Sequence, residues 1–178
     1  MSARYSHGDL NQCITVLFER AGLQPEIAGT VAEVLIEADL LGYDTHGLQF
    51  VPAYLTAIEE GQTCLTGVPR VLRDEGSALV LDGLFLPGQW VIRQALETGL
   101  ERLENHPMVS LAISRSQNIS CLATYVKRAA LQGYMAILTT STPGNAAVAP
   151  FGGRVARYST NPMAIGVPTD GTPILIDT

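Results

Sequence analysis

Apolar residues in the first part of the chain recur at helical spacing. Leu10, Ile14, Leu17 and Phe18 share one face, and Gly22 closes that segment. Pro25 suits a first helical position, and Ile27, Val31, Val34, Leu35 and Ala38 form a second stripe that stops near Gly42. A third helix is predicted over residues 48–60, with Val51, Leu55 and Ile58 inward, Pro52 tolerated in the first turn and Gly61 as the stop. The period then changes. Residues 68–73 and 78–81 read as strands around the turn Asp74-Glu75-Gly76, and residues 83–88 as a loop. A helix over 89–105 carries Ile92, Ala95, Leu96, Leu100 and Leu103 on one side. Residues 108–113 and 135–138 read as buried strands flanking a helix over 121–132, which predicts a βαβ unit. After a loop at 139–161 rich in Gly, Pro, Ser and Thr, residues 163–167 and 173–176 are strand-like around Asp170-Gly171. The fold class is α+β, with a helical lobe over residues 1–61 and a mixed-sheet lobe over 62–178. The final strand run reaches Asp177-Thr178 without a cap, helix or polar tail, which fits either an incomplete fold or an edge strand.

Composition narrows the function classes. Apolar residues at 47% and charged residues at 16% describe a folded globular chain and exclude disorder as its main state. A net charge of −6 with no basic cluster argues against nucleic-acid phosphates as partners. No apolar run is long enough to span a bilayer, and residues 1–9 lack the apolar core of a secretory signal, so a cytoplasmic location and no membrane partner are expected. Cys13, Cys64 and Cys121 are odd in number and far apart, which predicts reduced, mostly structural thiols behaving as small buried hydrophobes. His7, His46 and His106 are also dispersed, and no metal site is expected.

Candidate chemistry sits in two places. No glycine-rich dinucleotide fingerprint, phosphate loop or nucleophile elbow is present. The segment Asp39-Leu40-Leu41-Gly42-Tyr43-Asp44-Thr45-His46-Gly47 places a histidine at a loop–helix junction, open to substrate. Asp44 or Asp39 is placed to orient it, and Thr45 to bond a substrate oxygen or cap the next helix. A histidine that merely caps a helix fits the same spacing. The second place is the loop from Ser141 through Pro143, Gly144 and Asn145 to Gly152 and Gly153, followed by Ser159-Thr160-Asn161-Pro162. Its glycines let main-chain N–H groups approach an anion or carboxamide, although a plain connection with turn residues has the same composition.

The order Ala38-Asp39-Leu40-x-Gly-x-Asp-Thr-His-Gly with Pro52 and Tyr54 behind it, then Val148-Ala149-Pro150-Phe151-Gly152-Gly153-Arg154, then Thr160-Asn161-Pro162, resembles the malate/L-lactate dehydrogenase family over almost the whole chain. The resemblance implies NAD or NADP bound on a non-Rossmann fold, a substrate lobe and a cofactor lobe, and a homodimer or higher oligomer. It implies hydride transfer between nicotinamide and a 2-hydroxy or 2-oxo acid or a related imine. It assigns proton handling to His46, which is expected to face a cleft between the lobes with Thr45 beside it. It also assigns cofactor contact to Thr139, Thr140, Ser141, Gly152, Gly153, Thr160, Asn161 and Pro162.

Departures from the family pattern point to an altered substrate site. The arginine expected three or four residues after His-Gly is replaced by Phe50 and Val51, and a later basic position by Ala53. In the family's Ser-x-His-Phe/Tyr-Gly stretch the chain has Ser116-Gln117-Asn118-Ile119-Ser120, so Asn118 stands where an acid/base histidine is expected. Phe50, Tyr54 and Arg115 are the candidate substrate contacts, with Arg115 the nearest cation to the second altered motif. Family members are considerably longer. Two other readings therefore stand beside a dehydrogenase: a non-redox descendant serving as a binding or assembly subunit, and a half-protein completed by a partner chain.

Overall fold

The computed structural model describes residues 4–142 and 146–178, so Pro143, Gly144 and Asn145 of the candidate loop lie outside the described residues. The chain divides into two compact units, Met1–Cys121 and Leu122–Thr178. The change of apolar period near Gly61 thus falls inside the first unit, which holds the helices together with a first sheet.

In the first unit, α1 (His7–Arg20) and α2 (Pro25–Leu40) are followed by two single 3-10 turns (Asp44–His46 and Leu48–Phe50) and α3 (Val51–Glu59). The third predicted helix starts its α-helical part only at Val51, with Pro52 in its first turn, where a missing N–H costs nothing. The stripes read from the sequence meet in one core: Phe18, Ile27, Val31, Leu35 and Val51 are buried together with Leu86 and Val91. Gly42 ends α2. With φ at +89° it lets its own N–H donate to the Asp39 carbonyl and the Tyr43 N–H donate to the Ala38 carbonyl, which satisfies two carbonyls of the last turn.

Strands β1 (Arg70–Asp74), β2 (Ala78–Asp82) and β3 (Ser110–Ser114) form a sheet in the order β1-β2-β3, antiparallel then parallel. The crossover joining the parallel pair is α4 (Gly88–Arg102), whose Ala95 packs with Leu79 and Leu81. This corrects the expected βαβ unit, because the strand after the next helix pairs in a different sheet. Apolar period identifies strands but not their partners, and several helix–strand alternations here read alike. The thiol expectation also needs correction: Cys121 is buried, but Cys13 and Cys64 are exposed. Cys13 is on the outer side of α1, and the Cys64 thiol donates to the Thr66 carbonyl at 3.4 Å.

Two carboxylates anchor this sheet. The Asp74 carboxylate accepts two bonds from the Arg102 guanidinium at 2.6 and 2.7 Å. Asp82, buried, accepts from Arg115 and Arg70 and from the Leu84 N–H. Hydrogen bonds from Arg102 and from Arg115, respectively, hold Asp74 and Asp82 at about 2, below the ordinary 3.8. A depressed folded-state pKa gives stability that is full above the unfolded pKa and lost as pH falls from 3.8 toward about 2. The urea midpoint is therefore expected to fall steeply across that window, and less steeply in Asp82→Asn. A midpoint unchanged across it would contradict the assignment.

In the second unit, α5 (Ala123–Leu131) covers one face of an antiparallel sheet in the order β4 (Ala136–Thr139), β5 (Met163–Val167), β6 (Ile174–Asp177). The fit is close: a Cβ on Gly166 would stand 2.3 Å from the Val126 carbonyl oxygen. The Asp177 carboxylate accepts from the Ala123 N–H at 2.8 Å and so caps α5. Strand alternation turns Ile137, Met163, Ile174 and Ile176 to the other face, where all four are exposed.

Candidate active site

The end of α2 and the turns after it set the position of His46. The Asp39 carboxylate accepts from the Leu48 N–H at 3.1 Å, so Asp39 fixes the backbone behind His46 rather than its ring. That bond passes over Gly47, where a Cβ would lie 1.6 Å from Asp39 Oδ1. With φ at −97°, Gly47 supplies room, not an unusual conformation. His46 is exposed, and its Nδ1 lies 3.0 Å from the Thr45 hydroxyl, which leaves Nε2 to face outward chemistry. The imidazole stands edge-on to Phe50 at 5.7 Å between centroids. Phe50 stacks on Tyr54, 5.5 Å away with the ring planes 6° apart, as the spacing of four residues allows.

Asn118 reaches the same place from the other motif. Tyr54 Oη donates to Asn118 Oδ1 at 2.8 Å, and the Ser120 N–H donates to the same oxygen at 2.8 Å. Ser120, in a left-handed conformation (φ 61°), also donates its hydroxyl to the His46 carbonyl. Gln89, buried in the first turn of α4, donates from Nε2 to Tyr54 Oη at 2.8 Å. Burial pushes the Tyr54 phenol above its ordinary range, against the smaller opposite pull of the Gln89 bond, so the hydroxyl keeps its proton and can donate. Close approach of α4 sets the Asn118 backbone, since a Cβ on Gly88 would meet the Gln117 and Asn118 carbonyl oxygens at 2.4 Å.

His46, Thr45, Phe50, Tyr54 and Asn118 therefore converge. Arg115 does not join them: Asp82 accepts from its guanidinium, which also lies over the Phe85 ring at 5.5 Å. Gln89 and Ser120 escaped sequence reasoning. Gln89 had a signal, since it falls three and seven residues before Ile92 and Leu96 on an otherwise apolar stripe. Ser120 had none beyond its place beside the altered motif.

In the second unit, Thr139 pairs with Met163, and the Thr140 N–H donates to the Pro162 carbonyl at 3.3 Å. This brings Thr139, Thr140 and Ser141 beside Thr160, Asn161 and Pro162 at one end of β4 and β5. Asn161 donates to the Ser159 carbonyl at 3.4 Å. Gly152 and Gly153 sit apart, at the tip of an excursion closed by a Val148–Tyr158 bridge. There Gly152 has φ +76° and the Gly153 N–H donates to the Pro150 carbonyl at 2.8 Å, so a tight turn accounts for both. The residues at the strand ends present uncharged hydroxyl and amide groups, and the exposed Arg154 and Arg157 lie on the excursion. That donor set fits an anionic dinucleotide. Among the described residues, no group of three His, Cys, Asp or Glu could hold a metal ion, and no helix is long and apolar enough to cross a membrane.

The sequence profile of the malate/L-lactate dehydrogenase family matches residues 5–178. Hydroxycarboxylate dehydrogenase B of Escherichia coli K12 is 30% identical over 175 residues, 98% of this chain and 48% of that protein. The NAD(+)-dependent ureidoglycolate dehydrogenase of the same strain is 31% identical over 97% of this chain and 49% of its own length. The structure of malate dehydrogenase from Pyrococcus horikoshii superposes with a TM-score of 0.93 at 28% identity, over 98% of this chain and 50% of that one. The chain thus spans about half the length of the relatives it matches.

Proposed function

The chain belongs to the malate/L-lactate dehydrogenase family, and from that premise we propose that it carries out nicotinamide-dependent hydride transfer on a 2-oxo or 2-hydroxy compound, or a related imine, that is uncharged near Phe50. The observation that carries this reading is the convergence of His46, Phe50, Tyr54 and Asn118 without a guanidinium among them. A desolvated substrate carboxylate needs a cation. Phe50 offers none, and Arg115 is engaged by Asp82. The helical residues 1–61 form the substrate side, reached by Gln89 and Asn118, and Thr139, Thr140, Ser141, Thr160, Asn161 and Pro162 hold NAD or NADP.

When bound, the nicotinamide supplies or accepts the hydride. His46 holds or moves the proton of the substrate oxygen at Nε2, with Thr45 fixing the ring through Nδ1. Asn118 hydrogen-bonds substrate and moves no proton. Phe50 and Tyr54 wall the site with stacked rings and exclude water.

A second copy or a partner chain covers the apolar face of Ile137, Met163, Ile174 and Ile176, and the assembly works in the cytoplasm. The exposure of that face supports an oligomer or a completing chain. Fluorescence titration with NADH and NADPH, on material whose mass is read by sedimentation, tests the reading. Saturable binding to an oligomer is expected. A monodisperse monomer that binds neither nucleotide would instead favour a non-redox descendant of the family.

A further inference from the structure

The direction of the hydrogen bonds around Asn118 follows from one backbone group. The Ser120 N–H can only donate, so the atom it meets on Asn118 is the oxygen. Tyr54 Oη meets the same oxygen and must donate to it. Tyr54 then accepts from Gln89, which requires the Gln89 Nε2 amide group there. Two atoms remain without a hydrogen-bond partner among the described residues: Gln89 Oε1, an acceptor, and Asn118 Nδ2, a donor. Both residues line a cavity of about 110 Å³ whose other walls include Phe18, Leu23, Val31 and Ala57. Gln89 is 1% exposed, whereas Asn118 is exposed, so the pair joins the buried end of the cavity to its mouth. Among the described residues, no charged side chain lines the cavity.

We infer that the cavity beneath Tyr54 is a recognition pocket for a small uncharged group that both donates and accepts a hydrogen bond, a carboxamide or a hydroxyl, read by Gln89 Oε1 and Asn118 Nδ2. At roughly 30 Å³ per water-sized atom, the volume takes about four non-hydrogen atoms. The lack of a cation in the lining, which otherwise mixes apolar residues with the polar Thr63 and Gln117, and the buried acceptor disfavour a carboxylate, which carries charge and has nothing to donate to Gln89. The inference deepens the proposed function by naming the part of the substrate that this site selects. Its test needs no nicotinamide, so it can fail or hold separately from that reading.

Acetamide, acetone and acetate are nearly the same size and differ in the property at issue. Titrated into the protein, acetamide is expected to shift the Gln89 and Asn118 side-chain amide resonances with a millimolar dissociation constant. Acetone, lacking a donor, is expected to bind at least about tenfold more weakly, and acetate not at all. Gln89→Leu is expected to abolish the acetamide effect. Because a change at a buried position can unfold the chain, Ala57→Leu is the companion variant: it fills the cavity, touches no polar partner, and is expected to weaken acetamide at least about tenfold in a folded protein. Equal binding of acetone or acetate, shifts that leave Gln89 and Asn118 unmoved, or undiminished acetamide binding in folded Ala57→Leu would overturn the pocket.

Discussion

A His46→Ala variant is expected to lose turnover by about 10²-fold or more while unfolding as the parent chain does. General acid/base help at a reacting oxygen is worth about that factor. The ring is exposed, makes an edge contact with Phe50 and meets only Thr45 through its nitrogens, so little packing is lost with it. Surface changes of that kind stay within about 0.5 kcal/mol. The measurement pairs initial rates with thermal unfolding. A histidine that only shapes the turn gives the reverse outcome: unchanged turnover with a lowered melting temperature.

Gly47→Ala is expected to destabilise the chain by about 1–3 kcal/mol, the cost of leaving a buried donor unsatisfied, and to remove most activity with it. The new Cβ would fall on the Asp39 carboxylate. Asp39 can escape only by rotating away, and then the Leu48 N–H loses its acceptor. The turn that carries His46 loses its tie to α2 at the same time. Asp39→Ala combined with Gly47→Ala removes the collision but not the lost bond, so the pair is expected to be no less stable than Gly47→Ala alone. Chemical denaturation of the parent and the two variants checks this, and a Gly47→Ala chain as stable as its parent would show that the turn tolerates the methyl group.

The helices were readable because glycine and proline punctuate them: Gly22, Gly42 and Gly61 each follow a helix end, and Pro25 and Pro52 lie in first turns. The strands were readable one by one, since Leu79 and Leu81 alternate with the exposed Ala78 and Val80. Their pairing was not, because the sheets join segments by hydrogen bonds that no local period encodes. The two altered motifs were also visible in the sequence. What it hid is their meeting: Tyr54 and Asn118 are far apart in the chain and touch because Gly88 admits the Asn118 backbone against α4. Arg115 shows the converse, a cation in a suggestive place whose partner, Asp82, comes from β2. Gln89 shows that a polar residue on an apolar stripe deserves a question about its partners.

The most direct measurement is the rate of NADH and NADPH oxidation with pyruvate, oxaloacetate, a cyclic imine and a neutral 2-oxo amide assayed side by side. Oxidation driven by the uncharged compounds, with pyruvate and oxaloacetate slow, is the expected result. Fast reduction of pyruvate or oxaloacetate would contradict a site that offers their carboxylates no cation.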